Sequence, residues 1–241
     1  MTASLFISDL HLADERPEST ETLLRFLRDT APKAERLFIL GDLFEYWIGD
    51  ETLATPMPAQ VAGALDRLGT GGTAVFFMHG NRDFLIGPRF AKAAGVQLLP
   101  DPYTVTLYGT PTLLMHGDTL CTDDVGYQEF RKVVRNPEWQ AEFLAKPVAE
   151  RIELARTVRA ESEQAKKVKS MTIMDVSLPA VETALREHAY PRLIHGHTHR
   201  PAVHEHVVDG HRCERIVLAD WYGAGSCLEC TRAGCRSVAL T

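Results

Sequence analysis

Short apolar runs recur along the chain, and each ends abruptly in a polar cluster. Residues 4–8 run into Asp9-Leu-His11, residues 36–40 into Gly41-Asp42, and residues 73–78 into His79-Gly-Asn81. Residues 113–115 run into His116-Gly-Asp118, and residues 192–194 into His195-Gly-His197. Short continuous apolar runs read as strands buried on both faces. Between them lie helical patterns. Residues 20–29 carry Leu23, Leu24 and Leu27 at helical spacing, and residues 53–68 read as a second helix with Pro58 in its first turn. Strands alternating with helices predict an α/β layered fold. In such folds ligands gather at the loops leaving the strand C-termini. The five polar clusters are therefore expected to converge on one site.

The texture changes between Asp124 and Lys169, where strand signals vanish. Asn136-Pro137 reads as an N-cap and first helical residue, and Pro147 opens another helix. The expected organisation is a core of residues 1–123 and 171–241, interrupted by a helical insertion at 124–170. Residues 126–170 hold 10 Lys/Arg and 7 Asp/Glu, so the basic character sits on the insertion. Its large apolar residues include Phe130, Val133, Val134, Trp139, Phe143, Leu144, Val148, Ile152 and Val158.

Composition narrows the class. With 241 residues, 45% hydrophobic and 24% charged, the chain is neither disordered, collagen-like nor a rod. A net charge of −6 argues against nucleic acid as a partner. The N-terminus lacks the features of a secretory signal, and the apolar stretches fall far short of the ~20 residues a membrane span needs. A cytoplasmic location is expected. Five cysteines, an odd count, suggest reduced thiols. Cys213, Cys227, Cys230 and Cys235 would suit zinc, but residues 227–240 read as a hairpin turning at Arg232-Ala-Gly234, with Cys227 and Cys230 on opposite faces.

The five clusters supply carboxylates, imidazoles and one amide oxygen, a donor set suited to manganese, iron or zinc. Singly each is weak: Asp42 would cap a turn, and His116 or His195 would be a hydrogen-bonded core histidine. Together they resemble the calcineurin-like metallophosphoesterases, whose signature is D-x-H, G-D, G-N, H-G and G-H-x-H. That resemblance implies a two-sheet β-sandwich flanked by helices. It implies that Asp9, His11, Asp42 and His199 hold one divalent metal. Asp42, Asn81, His116 and His197 would hold a second, with Asp42 bridging. The physics agrees, because two cations ~3.5–4 Å apart need a shared anion.

Many members of that family carry histidine after the G-N asparagine; here Arg82 stands in G-N-R-D. Arginine cannot act as a general acid but clamps phosphate oxygens bidentately. This favours a pyrophosphate-type bond, whose phosphate leaving group needs no proton. The alternative role for Arg82 is as a structural partner of Asp83. The longer strings F-I-S-D-L-H-L, G-D-L-F-E-Y-W-I-G-D, H-G-N-R-D-F-L-I-G, H-G-D-T-L-C-T-D-D, I-M-D-V and H-G-H-T-H-R-P resemble the UDP-2,3-diacylglucosamine diphosphatases of lipid A assembly. That resemblance implies release of UMP and 2,3-diacylglucosamine 1-phosphate by attack at the uridylyl phosphorus, with manganese preferred. It implies catalytic roles for Asp42, Asn81, Arg82 and His197. Asn81, Arg82, Asp124, Ser162, Lys166, Lys169 and His197 would contact substrate. Ser162, Lys166 and Lys169 have helical spacing and would face the head group. The insertion would be a helical cap that, with Trp47, lines a groove for two acyl chains. A lipid substrate implies peripheral contact with the cytoplasmic face of the inner membrane. The competing readings are a phosphoesterase for a soluble nucleotide pyrophosphate or phosphodiester, and a non-catalytic scaffold.

Overall fold

A computed structural model describes residues 2–168 and 175–240, apart from the side chains at 161–163 and 165–168. The core begins with β1 (Ser4–Ile7), α1 (Pro17–Asp29), β2 (Arg36–Leu40), α2 (Pro56–Thr70), β3 (Ala74–Met78), α3 (Pro88–Ala94) and β4 (Gln97–Leu99). Next come β5 (Tyr103–Leu107) and β6 (Thr110–Met115), then three helices, α4 (Val125–Val134), α5 (Pro137–Ala145) and α6 (Val148–Val168). The chain closes with α7 (Leu178–Glu187), β7 (Arg192–His195), β8 (Ala202–Val208), β9 (His211–Val217), β10 (Ser226–Thr231) and β11 (Gly234–Ala239). Proline opens α1, α2, α3, α5 and α7 at the first or second position, where its missing N–H costs no helical hydrogen bond.

Two sheets face each other. One has the order β11-β10-β1-β2-β3-β4 and the other β5-β6-β7-β9-β8. Strands β1 to β4 run parallel, as do β6, β7 and β9. Alternation along each strand explains the apolar runs. Phe6 and Phe38 join Leu114, Ile194 and Ile216 between the sheets, while Leu5, Ile7, Leu37 and Ile39 face outward under helices. Leu23, Phe26 and Leu27 of α1 and Val61, Leu65 and Leu68 of α2 cover that outer face at helical spacing. Val181 and Leu185 of α7 cover Leu113 and Leu193 on the other sheet. The architecture is the expected α/β sandwich flanked by helices, with the parallel strands pointing their C-termini to one edge.

Between residues 124 and 168 the described elements are all helical. Asp124 caps α4 by accepting from Tyr127 N, and Asn136 caps α5 by accepting from Glu138 N and Trp139 N.

Two expectations are corrected. Cys230 and Cys235 form a disulfide, because the β10–β11 register pairs them directly across the hairpin with Cα atoms 4.0 Å apart. Among the described residues Cys121, Cys213 and Cys227 form no disulfide. Cys227 packs under the helices whereas Cys230 packs between the sheets, so they do not share a metal. Trp47 does not line an open groove. It is buried against Phe44 and Phe90, with ring centroids at 4.8 and 5.1 Å, and its indole donates to Asp50.

Phe38 stacks between Phe6 and Phe76, each at 4.8 Å, at the middle of the intersheet core. Phe38→Ala should lower unfolding free energy by about 3–5 kcal/mol. Denaturant titration checks this, and a loss below about 1 kcal/mol would mean that the sheets repack around the cavity.

Candidate metal centre

The loops leaving β1, β2 and β7 share an unusual backbone. Asp9, His11, Asp42, His197 and His199 all adopt left-handed conformations, with φ of 56°, 51°, 54°, 67° and 55°. Such residues cost of order 1–3 kcal/mol each and persist only where the surroundings impose them. Backbone hydrogen bonds impose them here: Asp9 N donates to Gly41 O, His11 N to Asp42 O, and Trp221 N to Asp9 O. Close approach does the rest. A Cβ on Gly80 would lie 2.1 Å from Asp42 Oδ1, and one on Gly196 would lie 2.2 Å from Asp9 Oδ2. Asp83, fully buried, accepts from the backbone N–H groups of Gly80, Asp42 and Leu43 and so pins the β2 and β3 loops together. Asp83 thus serves the backbone, while the guanidinium of Arg82 lies 3.6 Å from Glu45.

These loops bring all seven expected ligands together. His199 Nε2 lies 3.4 Å from Asp9 Oδ1 and 3.2 Å from His11 Nε2. His11 Nε2 lies 3.8 Å from Asp42 Oδ2, and His116 Nε2 3.9 Å from Asp42 Oδ1. Asn81 Oδ1 lies 2.9 Å from both His116 Nε2 and His197 Nδ1. Asp42 therefore stands between two groups of donors, Asp9/His11/His199 on one side and Asn81/His116/His197 on the other.

The electrostatics are those of a site that wants positive charge. Burial, helped by the nearby Asp83 and Asp9 carboxylates, pushes Asp42 up to about 7. Burial opposes charging His116, yet Asp42, Asp118 and Asp9 raise it to about 9. Burial and the charge on His116 take His197 down to about 3. Burial also opposes the charge on Asp9, but the adjacent His199 imidazole, with His116 and His11, holds it well below the usual carboxylate range.

The donors fit divalent cations. Asp9 Oδ1 is buried with no hydrogen-bond partner. His116 Nδ1 lies 2.9 Å from the carbonyl oxygen of Leu40, which fixes its proton there. In the neutral ring the Nε2 lone pair then faces the oxygen of Asn81, a clash that a cation relieves.

The sequence model of the calcineurin-like phosphoesterases matches residues 4–201. The chain belongs to the calcineurin-like phosphoesterase family. It is 52% identical over 232 residues to the UDP-2,3-diacylglucosamine hydrolase of Aromatoleum aromaticum, covering 96% of this chain and 94% of that protein. It is 49% identical over 238 residues to the protein so named in Stenotrophomonas maltophilia, covering 96% of each. With that of Edwardsiella ictaluri it shares 48% identity over 239 residues, 99% of this chain and 92% of the relative.

Around these loops this phosphoesterase has further residues outside the seven expected ligands. Asp118 is fully buried and accepts from Tyr127 Oη at 2.6 Å and Arg131 Nε at 2.7 Å, both on α4. The Tyr127 ring lies 6.0 Å from that of His197, so the first turn of α4, capped by Asp124, borders the cluster. Arg135 donates to Gly80 O at 2.8 Å. Arg159 of α6 reaches Glu45 at 3.4 Å. One signal for Arg159 existed: it precedes Ser162 by three positions and Lys166 by seven, on the same helical face. The side chains of Ser162 and Lys166, and all of Lys169, lie outside the described residues.

Gly80→Ala should displace Asp42 and weaken divalent-metal affinity at least about 10-fold. Equilibrium metal titration checks this, and unchanged affinity would contradict the close packing of the two loops.

Proposed function

We propose that the chain hydrolyses the pyrophosphate bond of UDP-2,3-diacylglucosamine, releasing UMP and 2,3-diacylglucosamine 1-phosphate in lipid A biosynthesis. The observation that supports this best is the gathering of Asp9, His11, Asp42, His116 and His199, joined by Asn81 and His197, in a chain about half identical, over nearly full length, to relatives named for that hydrolysis. The protein is a hydrolase of the phosphoesterase family.

In this reading Asp9, His11, Asp42 and His199 would hold one divalent ion. Asp42, Asn81, His116 and His197 would hold another, with Mn2+ the preferred species. The chemistry such a pair supplies when bound is Lewis-acid neutralisation of phosphoryl oxygens and activation of water near neutral pH. The chain's own residues do the rest. Asp42 is held in place by Arg82 N, which donates to its Oδ1 at 2.8 Å. The Arg82 side chain clamps diphosphate oxygens and stabilises charge that shifts toward the leaving group during attack at the uridylyl phosphorus. Because that leaving group is a sugar 1-phosphate, no side chain has to protonate it. His197 is oriented from both sides, its ring by Asn81 and its backbone N–H by Asp9 Oδ2.

Residues 124–170 act as a cap over the core of residues 1–123 and 171–241. Phe130, Val133, Leu144, Val148, Leu154 and Val158 are exposed on its helices. That apolar surface suits acyl chains and a membrane interface. Asp124, Ser162, Lys166 and Lys169 would meet the head group. No helix of the described residues is long and apolar enough to cross a membrane, so contact with the inner membrane would be peripheral.

Purified protein with Mn2+ should release UMP from UDP-2,3-diacylglucosamine but far less from unacylated UDP-N-acetylglucosamine. Equal cleavage of both would remove the lipid from this reading. Asp42→Ala should abolish turnover, and wild-type rates from that variant would contradict the bridging role. Arg82→Ala should reduce kcat about 100- to 1000-fold while leaving metal content intact. An unchanged kcat would exclude the clamp.

A further inference from the structure

Glu45 lies three residues beyond Asp42, and its carboxylate is only 3% exposed although no ligand motif includes it. Its backbone is fixed, with Glu45 N donating to Leu12 O at 3.0 Å, so the side chain is aimed at the loop that carries His11. One oxygen, Oε2, accepts from Arg16 Nη2 at 3.1 Å and lies 3.6 Å from His11 Nδ1. That imidazole nitrogen is buried and has no hydrogen-bond partner. The other oxygen, Oε1, lies 3.6 Å from Arg82 Nη1 and 3.4 Å from Arg159 Nη2. Three guanidiniums from three segments therefore converge on one buried carboxylate. Arg16 is further held by its hydrogen bond to His11 O and by stacking over Tyr222, whose ring in turn stacks on His11 at 5.2 Å.

We infer that Glu45 is a positioning residue for the hydrolysis, seating His11 with one oxygen and gathering Arg82 and Arg159 with the other. The inference rests on the pyrophosphatase reading above for its kinetic consequence, but not for its metal-binding one. The physics has two parts. A ligating imidazole needs its second nitrogen oriented by an acceptor, and outer partners of this kind change metal affinity about 10- to 100-fold. Like-charged guanidiniums also repel, and a carboxylate between them offsets that repulsion at low dielectric. Removing it lets Arg82 and Arg159 move apart, which separates the core side of the site from the cap helix α6.

The test uses the full chain, with Glu45→Gln and Glu45→Asp as variants. Gln keeps the shape without the charge; Asp keeps the charge but withdraws it by one methylene. Mn2+ binding to metal-stripped protein is followed by electron paramagnetic resonance, without substrate, and UMP release is measured separately. Glu45→Gln should bind Mn2+ about 10- to 100-fold more weakly and lose kcat by a similar factor. Glu45→Asp should fold and show a smaller loss of both. A merely structural Glu45 would lower the melting temperature while leaving Mn2+ affinity and kcat per folded molecule unchanged, which would overturn the inference. If Glu45→Gln does not fold, wild-type affinity and kcat in Glu45→Asp would overturn it equally. Wild-type protein that binds Mn2+ yet releases no UMP would instead overturn the pyrophosphatase reading, leaving the metal arm to decide on Glu45.

Discussion

Everything at this site follows from burying carboxylates and imidazoles together. Asp9, Asp42 and His116 are each at most 2% exposed, and each offers a donor atom within 4.8 Å of the others. Desolvating such groups is costly unless opposite charge is supplied. Without a metal, the protein supplies it with protons, which is why His116 is pushed up to about 9 and Asp42 to about 7. The left-handed turns at Asp9, His11, Asp42, His197 and His199 are part of the same design. They cost backbone energy that only a rigid sandwich beneath them can impose, and they bend each loop so that successive candidate donors face inward.

Helices α4, α5 and α6 are fastened beside this cluster through charge. Arg131 reaches Asp118, Arg135 reaches Gly80 O, Arg151 reaches Ile48 O and Glu51, and Arg159 reaches Glu45. Each of these contacts lands on a segment that leaves a strand followed by a candidate metal donor, or on the loop just beyond it. Basic residues of 126–170 therefore register these helices against the loops that surround the cluster. The structure accounts for four of those ten basic residues in this way.

Much of this was legible in the chain. The apolar runs at 4–8, 36–40, 73–78, 113–115 and 192–194 became β1, β2, β3, β6 and β7 because strands buried on both faces leave an unbroken apolar signal. The seven candidate donors stand out in the sequence because each follows such a run, and the structure brings their side chains together. Strand β8 was not, since six of its seven residues are not buried and its sequence carries three charged or imidazole side chains. The disulfide was missed because an odd cysteine count says nothing of hairpin register, and register alone places Cys230 opposite Cys235. The resemblance suggests a groove role for Trp47, but Phe44 and Phe90, the latter distant in sequence, draw it into the core. Glu45 stands within the string G-D-L-F-E-Y-W-I-G-D, but nothing there marks its side chain; its importance lies in three arginines from remote segments.

The most direct test of this account is the number of divalent ions that the folded chain binds. Metal-stripped protein titrated with Mn2+, with bound metal counted by elemental analysis, should take up two ions per chain, both lost when Asp42 is replaced by alanine or one retained only weakly. Saturation at a single ion in the wild-type protein, or binding at two sites indifferent to Asp42, would contradict a cluster divided by a shared carboxylate.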